Sequence, residues 1–294
     1  MRERLERKTF FATLTTHTPL RILTNCSRAF ATNVYGKLET YNPTGSHKDR
    51  ESEEIVRYAL RNGIRDLAIA STGNAAISLA AYSYVHGLNC HVYLPSRIAA
   101  ERLAQIQAYH PTIKYAATYE QAIAQCEEDS EKKSLLNCNP GARYEKIKGD
   151  SGIGMEIARN IRPDYVVCPT NNGTLLAGVW SGLRRAGVKT RMVAAVTTKT
   201  KLAAAIAGFH RMDEPALSET LIESGGEVLE ISDSEIAKAA RVLLSDGLVV
   251  EGAAAAGLAS VKHLQVTRKT KVCCVVTGSG LKFPNSLKQL LVKR

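Results

Sequence analysis

The sequence predicts an α/β protein with two lobes, each an open, mostly parallel sheet flanked by helices. Short apolar runs alternate with helix-like segments along nearly the whole chain, an order typical of parallel sheets that helices cover. The apolar runs are continuous, as in strands that are buried on both faces. A length of 294 residues allows two hydrophobic cores.

The first series of elements lies between residues 51 and 116. It opens with the helix-like run ESEEIVRYALRNG and the strand DLAIA (66–70), which the polar loop STGN follows. The run AAISLAAYSYVH predicts a helix that Gly87 ends, because glycine is common at a C-terminal cap. NCHVYLP (89–95) and TIKYA (112–116) are predicted strands on either side of a helix in IAAERLAQIQAYH.

The second series begins with the strand DYVVC (164–168), the loop PTNNGT and a helix in LLAGVWSGLRRAG. It continues with the strand RMVAAV (191–196), the helices DSEIAKAARVLLSDG and GAAAAGLASVKHL, and the strand KVCCVV (271–276). This order repeats the strand–helix alternation of the first series, so a second parallel sheet is expected.

Between the two series, residues 134–152 have no clear periodicity and contain Pro, Gly and charged residues. We expect this segment to cross between the lobes. Residues 1–50 and 146–294 would then form the larger domain, and residues 51–145 the smaller domain.

Composition disfavours several classes of protein. Seven cysteines without paired spacing predict neither a disulfide framework nor a metal site, and Cys273 and Cys274 suit a buried strand. No apolar run reaches the roughly 20 residues of a membrane span, and no secretory signal is visible, so a cytoplasmic location is expected. The net charge of +11 is spread along the chain with only 6% aromatic residues, which fits an anionic small substrate, or solubility alone, better than nucleic acid.

Three polar loops follow predicted strands, and ligands of open α/β sheets bind beyond the carboxyl ends of strands. The loops are Ser71-Thr72-Gly73-Asn74, Asn171-Asn172-Gly173-Thr174 and Thr277-Gly278-Ser279-Gly280. The first two also open helices, whose free N–H groups suit an anion. Each loop alone fits an ordinary turn, whereas the three together predict a shared ligand site.

Two common motif classes are absent from the sequence. There is no G-x-x-x-x-G-K-[ST] loop, and the pair Gly152 and Gly154 resembles a dinucleotide fingerprint only weakly. The G-x-S-x-G elbow of many hydrolases is also missing. Nucleotide binding and Ser–His–Asp hydrolysis are therefore poor explanations of the loops.

Five segments in order resemble the fold type II pyridoxal-phosphate enzymes, the tryptophan synthase β type, and most of all the threonine synthases. The segment Asn42-Pro43-Thr44-Gly45-Ser46-His47-Lys48-Asp49-Arg50 is similar to the lysine segment of that family. STGNAAISLAAY, PTNNGTLLAGVWSGL, EGAAAAGLASV and VVTGSGLK resemble the family's later motifs. Thr18-Pro19-Leu20 also stands where the family usually has TPL near its start, so the matches run from Thr18 to Lys282 and cover most of the chain.

The resemblance implies pyridoxal 5′-phosphate as the cofactor and assigns roles to the loops. Lys48 would hold the cofactor covalently and act as the base at the substrate's α-carbon. Asn74 would contact the phenolic oxygen of the cofactor, and Thr277 would face its pyridine nitrogen. The phosphate would be surrounded by Asn171, Asn172, Gly173, Thr174 and Leu175. The substrate carboxylate would be held by Ser71, Thr72, Gly73 and Asn74.

The resemblance also implies a lyase or synthase, because a neutral hydroxyl at Thr277 favours elimination or replacement over transamination. The leading substrates are O-phosphohomoserine and water. A serine/threonine dehydratase, a β-replacing synthase acting on O-phosphoserine and a catalytically inactive ligand-binding relative stay open. His47 stands where threonine synthases usually have Phe, which leaves the reaction undecided. A homodimer is the family expectation, with the cofactor in the larger domain and a mobile smaller domain for the substrate.

Overall fold

The computed structural model describes residues 17–208 and 212–292. Within these ranges the chain forms two compact units. The smaller unit contains Asn42–Thr44 and Lys48–Gly149, and the larger unit contains Thr18–Tyr41, Gly45–His47 and the residues from Asp150 onward. The chain thus changes unit on both sides of the short segment that precedes Lys48.

Strands and helices alternate along the described ranges. The strands are β1 (Leu20–Ile22), β2 (Asn33–Leu38), β3 (Asp66–Ala70), β4 (Asn89–Pro95), β5 (Thr112–Ala116), β6 (Leu136–Asn137), β7 (Tyr165–Pro169), β8 (Arg191–Val196), β9 (Glu227–Glu230) and β10 (Lys271–Val276). The helices are α1 (Thr24–Phe30), α2 (Lys48–Arg61), α3 (Asn74–His86), α4 (Ala100–Gln107), α5 (Tyr119–Lys132), α6 (Tyr144–Asn160), α7 (Thr174–Arg185), α8 (Glu214–Ser224), α9 (Asp233–Ser245), α10 (Gly252–Ala259) and α11 (Pro284–Val292).

Each unit contains one sheet. The smaller unit has a parallel sheet of four strands in the order β5-β4-β3-β6. The larger unit has six strands in the order β1-β2-β10-β7-β8-β9, all parallel except β1, which runs antiparallel to β2. The predicted fold class, two open and mostly parallel sheets with helices, is confirmed.

The central strands of the larger sheet are buried on both faces, which explains their continuous apolar sequence. Along β10, Val272, Cys274 and Val276 pack in the core with α1, α9 and α10. Cys273 and Val275 point the other way, into a second core with α6, α7 and α8. Burial on both faces removes the alternation of polar and apolar residues that a half-exposed strand would show.

The predicted strands agree closely with those observed, and five of the six have the predicted bounds. The sixth, β7, begins and ends one residue later than predicted. Gly87 ends α3 in a left-handed conformation with φ 64°, as its position suggested. The second alanine-rich helix is shorter than predicted, because Ser260–His263 continues as a 3-10 helix.

The segment 134–152, which has no clear periodicity in the sequence, contains regular structure. It contains the short strand β6 and the first half of α6, which starts at Tyr144. The border between the two compact units falls inside this helix, between Gly149 and Asp150. The proposed mobility of the smaller domain stays a prediction.

Among the residues that the structure describes, no helix has both the length and the apolar character required to span a membrane.

Candidate active site

The turn before Lys48 is held by the carboxylate of Asp49. Within the smaller unit, the Thr44 N–H donates to Asp49 Oδ2 at 2.6 Å, and the Thr44 hydroxyl donates to Asp49 Oδ1. Asp49 is fully buried. Its position in the first turn of α2 suits a negative charge, since the helix dipole is positive there. Asp49 therefore fixes the turn that delivers Lys48 to the start of the helix.

The residues just before Lys48 pair with the segment after β10 in the larger unit. The Ser279 N–H donates to the Gly45 carbonyl at 3.0 Å, and the His47 N–H donates to the Thr277 carbonyl at 3.0 Å. Ser46 and Gly278 form an antiparallel bridge between these two bonds. The backbone that leads into Lys48 is thus fixed to Thr277, which lies at the carboxyl end of β10.

Lys48 is the first residue of α2, and its amine is held by a carboxylate from the same helix. Lys48 Nζ donates to Glu51 Oε1, one turn further along. Glu51 also accepts a second cation, because Lys146 Nζ lies 3.3 Å from Glu51 Oε2. The side chain of Lys48 is 22% exposed, whereas those of Glu51 and Lys146 are each 2% exposed.

In the smaller unit, the loop Ser71–Asn74 connects β3 to α3. Gly73 is the N-cap residue of α3, and no side chain there accepts a hydrogen bond from the first N–H groups of the helix. The Gly73 N–H donates to the Ser71 hydroxyl oxygen at 3.3 Å. A Cβ added to Gly73 would lie 3.6 Å from Nη1 of Arg102. The loop predicted to hold the substrate carboxylate therefore has a guanidinium group beside it.

In the larger unit, the predicted phosphate loop connects β7 to α7. Gly173 precedes α7 with φ 97° and offers no side-chain cap to the helix. Asn171 Nδ2 donates to the Ala207 carbonyl at 3.3 Å, and the Asp213 N–H donates to the Asn172 carbonyl at 2.9 Å. Two separate parts of the chain thus hold the loop in place.

The hydroxyl of Thr174 has a different partner from the one that the sequence suggested. Thr174 Oγ1 donates to the carboxylate of Asp213, so in this arrangement its proton is not directed at a phosphate. A hydrogen bond from the Thr174 hydroxyl to the cofactor phosphate stays a prediction, and it requires the hydroxyl to leave Asp213, whereas the Thr174 N–H is not affected.

The two predicted loops of the larger unit follow neighbouring strands. β7 and β10 lie side by side and parallel, so the loop Asn171–Leu175 and Thr277 leave the same edge of the sheet. Thr277 is 5% exposed. The structure therefore brings the predicted phosphate loop and the predicted partner of the pyridine nitrogen to one edge, as expected for a ligand site of this fold.

The carboxylate of Glu251 is a further charged group at this edge. The Glu251 N–H donates to the Gly278 carbonyl at 3.0 Å, and a Cβ added to Gly278 would lie 2.7 Å from Glu251 Oε1. Glu251 directly precedes α10, where a negative charge is favourable because the helix dipole is positive at that end.

Three other charged residues near the proposed site residues had weak or no signals in the sequence. Glu51 lies three residues after Lys48, a spacing that brings side chains together on a helix, so it could have been found. Arg102 and Lys146 are distant from Lys48 in sequence, and only the folded chain shows their neighbours.

The cysteines contribute no reactive thiolate to the site. All seven are buried, and burial raises the pKa of Cys273 to about 12. The same cause raises the pKa of Cys168, at the end of β7, well above its usual value. The interpretation of Cys273 and Cys274 as small core residues is confirmed.

The comparison with protein families agrees with the motifs. The family model described as pyridoxal-phosphate dependent enzyme matches residues 12–278. The chain belongs to this family. A threonine synthase of Halalkalibacterium halodurans is 31% identical over 297 residues, which cover 92% of this chain and 84% of that protein.

Solved structures share the fold at lower identity. Maize serine racemase has a TM-score of 0.84 at 17% identity, covering 98% of this chain and 96% of that one. The processed form of threonine deaminase isoform 2 from Solanum lycopersicum has a TM-score of 0.80 at 18% identity, covering 98% and 88%. At this identity the likeness establishes the fold and not the reaction.

The residues present fit pyridoxal phosphate, the cofactor of the family. The first N–H groups of α7 lack intrahelical acceptors, and Gly173 has no side chain to cap them, so a phosphate oxygen can accept from them. The buried Oδ1 of Asn172 has no hydrogen-bond partner among the described residues. A bound donor group or water would satisfy it.

Proposed function

We propose that the protein catalyses elimination or replacement at the β- or γ-carbon of a small amino acid, in the manner of a threonine synthase. The reaction would convert O-phosphohomoserine and water into threonine and phosphate. The observation that supports this most is the backbone pairing of Gly45–His47 with Thr277–Ser279. This pairing keeps the segment that leads into Lys48 in fixed register with Thr277. The hydroxyl of Thr277 is neutral, whereas a carboxylate at this position would favour transamination.

Each proposed residue has a separate task. Pyridoxal phosphate, when bound, withdraws electrons from the substrate's α-carbon. Lys48 would hold the cofactor and move the proton at that carbon. Asn74 would orient the cofactor ring through the phenolic oxygen of the cofactor, and Thr277 would face the pyridine nitrogen. The phosphate would be bound by Asn171, Asn172, Gly173, Thr174 and Leu175.

The substrate would be bound through its charges. Ser71, Thr72, Gly73 and Asn74 would hold the carboxylate with hydroxyl and N–H donors. Arg102, beside Gly73, is suited to a second anionic group, because a guanidinium can pair with a phosphate through two hydrogen bonds. Together with the net charge of +11, Arg102 supports a phosphorylated amino acid as substrate.

The cofactor assignment is tested on the purified full-length protein. We expect a visible absorbance band from covalently bound pyridoxal phosphate, and borohydride reduction should add the cofactor mass to the peptide that contains Lys48. Lys48→Ala should abolish the attachment. A protein that stays colourless with added pyridoxal phosphate, or a Lys48→Ala variant with undiminished turnover, would refute the proposal.

A substrate panel separates the reactions. Release of phosphate from O-phosphohomoserine without a 2-oxo acid identifies a threonine synthase. Ammonia and a 2-oxo acid from serine or threonine identify a dehydratase, and turnover of O-phosphoserine with a nucleophile identifies a β-replacing synthase. Cofactor binding without turnover of any of these would indicate a ligand-binding relative.

The proposal includes a cytoplasmic homodimer, in line with the family. Light scattering after gel filtration checks the assembly, and a monomer with full activity would contradict that part. Fractionation of the source cells checks the location.

A further inference from the structure

Within the smaller unit, two side chains continue the hydrogen bonding of β3 where its neighbour β6 ends. β6 has only two residues, and its pairing with β3 reaches Ala68. One further backbone bond follows, from the Cys138 N–H to the Ala68 carbonyl at 2.8 Å. Ala70, the last residue of β3, donates its N–H to Asn139 Oδ1 at 2.9 Å and accepts from the Tyr119 hydroxyl at 3.1 Å. Both backbone groups of Ala70 are thus held by side chains.

These two bonds fix the point at which the carboxylate loop, Ser71–Asn74, begins. The Ala70 carbonyl and the Ser71 N–H belong to one planar peptide group, so a hydrogen bond to the carbonyl also sets the direction of the Ser71 N–H. The bond from the Ala70 N–H to Asn139 fixes the preceding peptide group in the same way. A loop that binds a carboxylate gains affinity when its donors are already in place, because ordering them on binding costs free energy.

Asn139 and Tyr119 are themselves fixed by the elements that carry them. Asn139 is 2% exposed, and its own N–H donates to Oδ1 of Asn137, the last residue of β6, at 3.0 Å. Tyr119 is the first residue of α5, whose N-cap Thr118 accepts from the Gln121 N–H at 3.2 Å. The two side chains therefore reach Ala70 from the end of a strand and the start of a helix, and such elements hold a site precisely.

We propose that Asn139 and Tyr119 are positioning residues for the substrate carboxylate. They act through Ala70, by keeping the first peptide group of the carboxylate loop in the orientation in which its donors face the ligand. The inference rests on the proposed function, in which this loop binds the carboxylate. Loss of either side-chain bond should weaken the binding of a carboxylate group, whereas the cofactor keeps its attachment to Lys48 and its proposed phosphate loop.

Two small ligands that differ only in the carboxylate separate positioning from a general loss of structure. 2-Aminobutyrate has no leaving group to eliminate, and propylamine is the same molecule without the carboxylate. Each is titrated into the full-length protein loaded with pyridoxal phosphate, and the absorbance of the cofactor reports binding. The ratio of the two dissociation constants measures the contribution of the carboxylate, which a purely structural role of Asn139 and Tyr119 would not change.

Both substitutions should act on the carboxylate ligand alone. Asn139→Leu replaces the amide by an apolar group of similar size and should weaken the binding of 2-aminobutyrate about tenfold, the effect of one lost buried hydrogen bond. Tyr119→Phe removes only the hydroxyl from a side chain that is 40% exposed, and it should weaken this binding about threefold. The affinities for propylamine and pyridoxal phosphate should stay close to those of the unmodified protein. In turnover, KM for the amino acid should rise more than kcat falls.

Matched controls lie in the same sheet. Tyr115→Phe removes the same hydroxyl group from β5, the edge strand, which β4 separates from β3. Asn89 Nδ2 donates to Asp66 Oδ1 at 2.9 Å, at the amino ends of β4 and β3, so Asn89→Leu removes an asparagine hydrogen bond from the opposite end of the sheet. Both control variants should bind 2-aminobutyrate and propylamine as the unmodified protein does.

An unchanged ratio of the two dissociation constants in Asn139→Leu and Tyr119→Phe would overturn the inference, whether both ligands bind equally more weakly or neither does. If Asn139→Leu does not fold, Tyr119→Phe decides alone, and an unchanged ratio again refutes the inference. An unmodified protein that binds pyridoxal phosphate but does not prefer 2-aminobutyrate to propylamine would also refute it, because the loop then binds no carboxylate. Failure of the unmodified protein to bind pyridoxal phosphate would instead refute the proposed function.

Discussion

Gly173 shows how one residue sets the geometry of the proposed phosphate loop. Its φ of 97° lies in the left-handed region, and an added Cβ would lie 2.9 Å from the Leu217 Cβ in α8. Gly173→Ala should reduce the free energy of unfolding by about 2–3 kcal/mol, from backbone strain and overpacking. It should also weaken pyridoxal phosphate binding by roughly tenfold or more, equivalent to about 1.4 kcal/mol. Denaturant unfolding and absorbance titration measure the two effects.

Gly187 is the matched control at the other end of α7. It also has a positive φ, 68°, but an added Cβ would meet no atom within 4 Å. Gly187→Ala should cost about 1 kcal/mol of stability and leave the affinity for pyridoxal phosphate unchanged. Equal effects of the two substitutions on cofactor affinity would contradict a direct role of the Gly173 loop.

At the scale of single residues, the sequence predicts those candidate site residues that belong to a local motif. Lys48 and the three loops could be named because small and polar residues follow apolar runs. Glu51 lies in the predicted helical run ESEEIVRYALRNG without a role assigned to it, and Arg102 and Lys146 gave no signal. Their neighbours depend on how helices pack, which no local pattern encodes. For the same reason the carboxylate of Asp213 beside Thr174 was not foreseen.

Among the elements, α6 and α7 make a contact that only glycine permits. An added Cβ on Gly154 would lie 2.0 Å from the Val179 carbonyl oxygen, and one on Gly182 would lie 2.0 Å from that of Ser151. Gly154→Ala must push the helices apart and should cost about 2–3 kcal/mol of stability. Gly182→Ala should cost a similar amount, and the double variant less than the sum, because the helices have already separated. Additive losses in chemical denaturation would contradict a shared contact.

The start of α9 should show a stability that depends on pH. Ser232 and Glu235 form a capping box, and Lys262 and His263 each lie 2.8 Å from Glu235 Oε1. The hydrogen bond from Lys262, followed by that from Ser232, holds the pKa of Glu235 well below its usual value. Because the folded pKa lies below the unfolded value of about 4.3, this stabilisation is present above that pH and is lost as the pH falls through the folded pKa.

Glu235→Gln should therefore reduce the free energy of unfolding by about 1 kcal/mol at pH 7. The difference from the unmodified sequence should shrink below about pH 4, where the protonated carboxyl resembles the amide. Urea unfolding at several pH values measures it. Glu127→Gln on the exposed face of α5 is the control and should change stability by less than about 0.5 kcal/mol. If the difference in the free energy of unfolding between Glu235→Gln and the unmodified sequence grew as the pH fell, the stabilising role of the Glu235 carboxylate would be refuted.

The strands are the elements that the sequence predicted best. β3, β8 and β10 are mostly buried, apolar runs with the predicted bounds, and the mixed runs β4 and β5 also have the predicted bounds. The start of α6 was missed because it buries polar side chains, so its apolar residues show no helical period. The buried polar residues of α6 are Lys146, Asp150, Ser151 and Glu156. A helical period of apolar residues marks a helix that buries apolar side chains, and it is absent where a helix buries charged ones.

For the whole molecule, cofactor binding should appear as added thermal stability. A ligand that binds only the native protein stabilises it by RT ln(1 + [L]/Kd), about 2.7 kcal/mol at a concentration of 100 Kd. For a chain of this size that corresponds to a rise in Tm of roughly 5–10 °C. Lys48→Ala lacks the covalent attachment, so its Kd is weaker and its shift at the same pyridoxal phosphate concentration should be several degrees smaller.

Pyridoxamine 5′-phosphate separates the covalent part of this stabilisation from the rest. It has the same ring and phosphate but no aldehyde, so Lys48 cannot attach to it. It should raise the Tm of the unmodified protein and of Lys48→Ala by similar amounts, through the proposed phosphate contacts at the start of α7. Calorimetry with both ligands on both proteins gives four shifts in Tm. The shift of the unmodified protein with pyridoxal phosphate should be larger than the other three. If Lys48→Ala gains as much from pyridoxal phosphate as the unmodified protein does, Lys48 is not the residue that holds the cofactor.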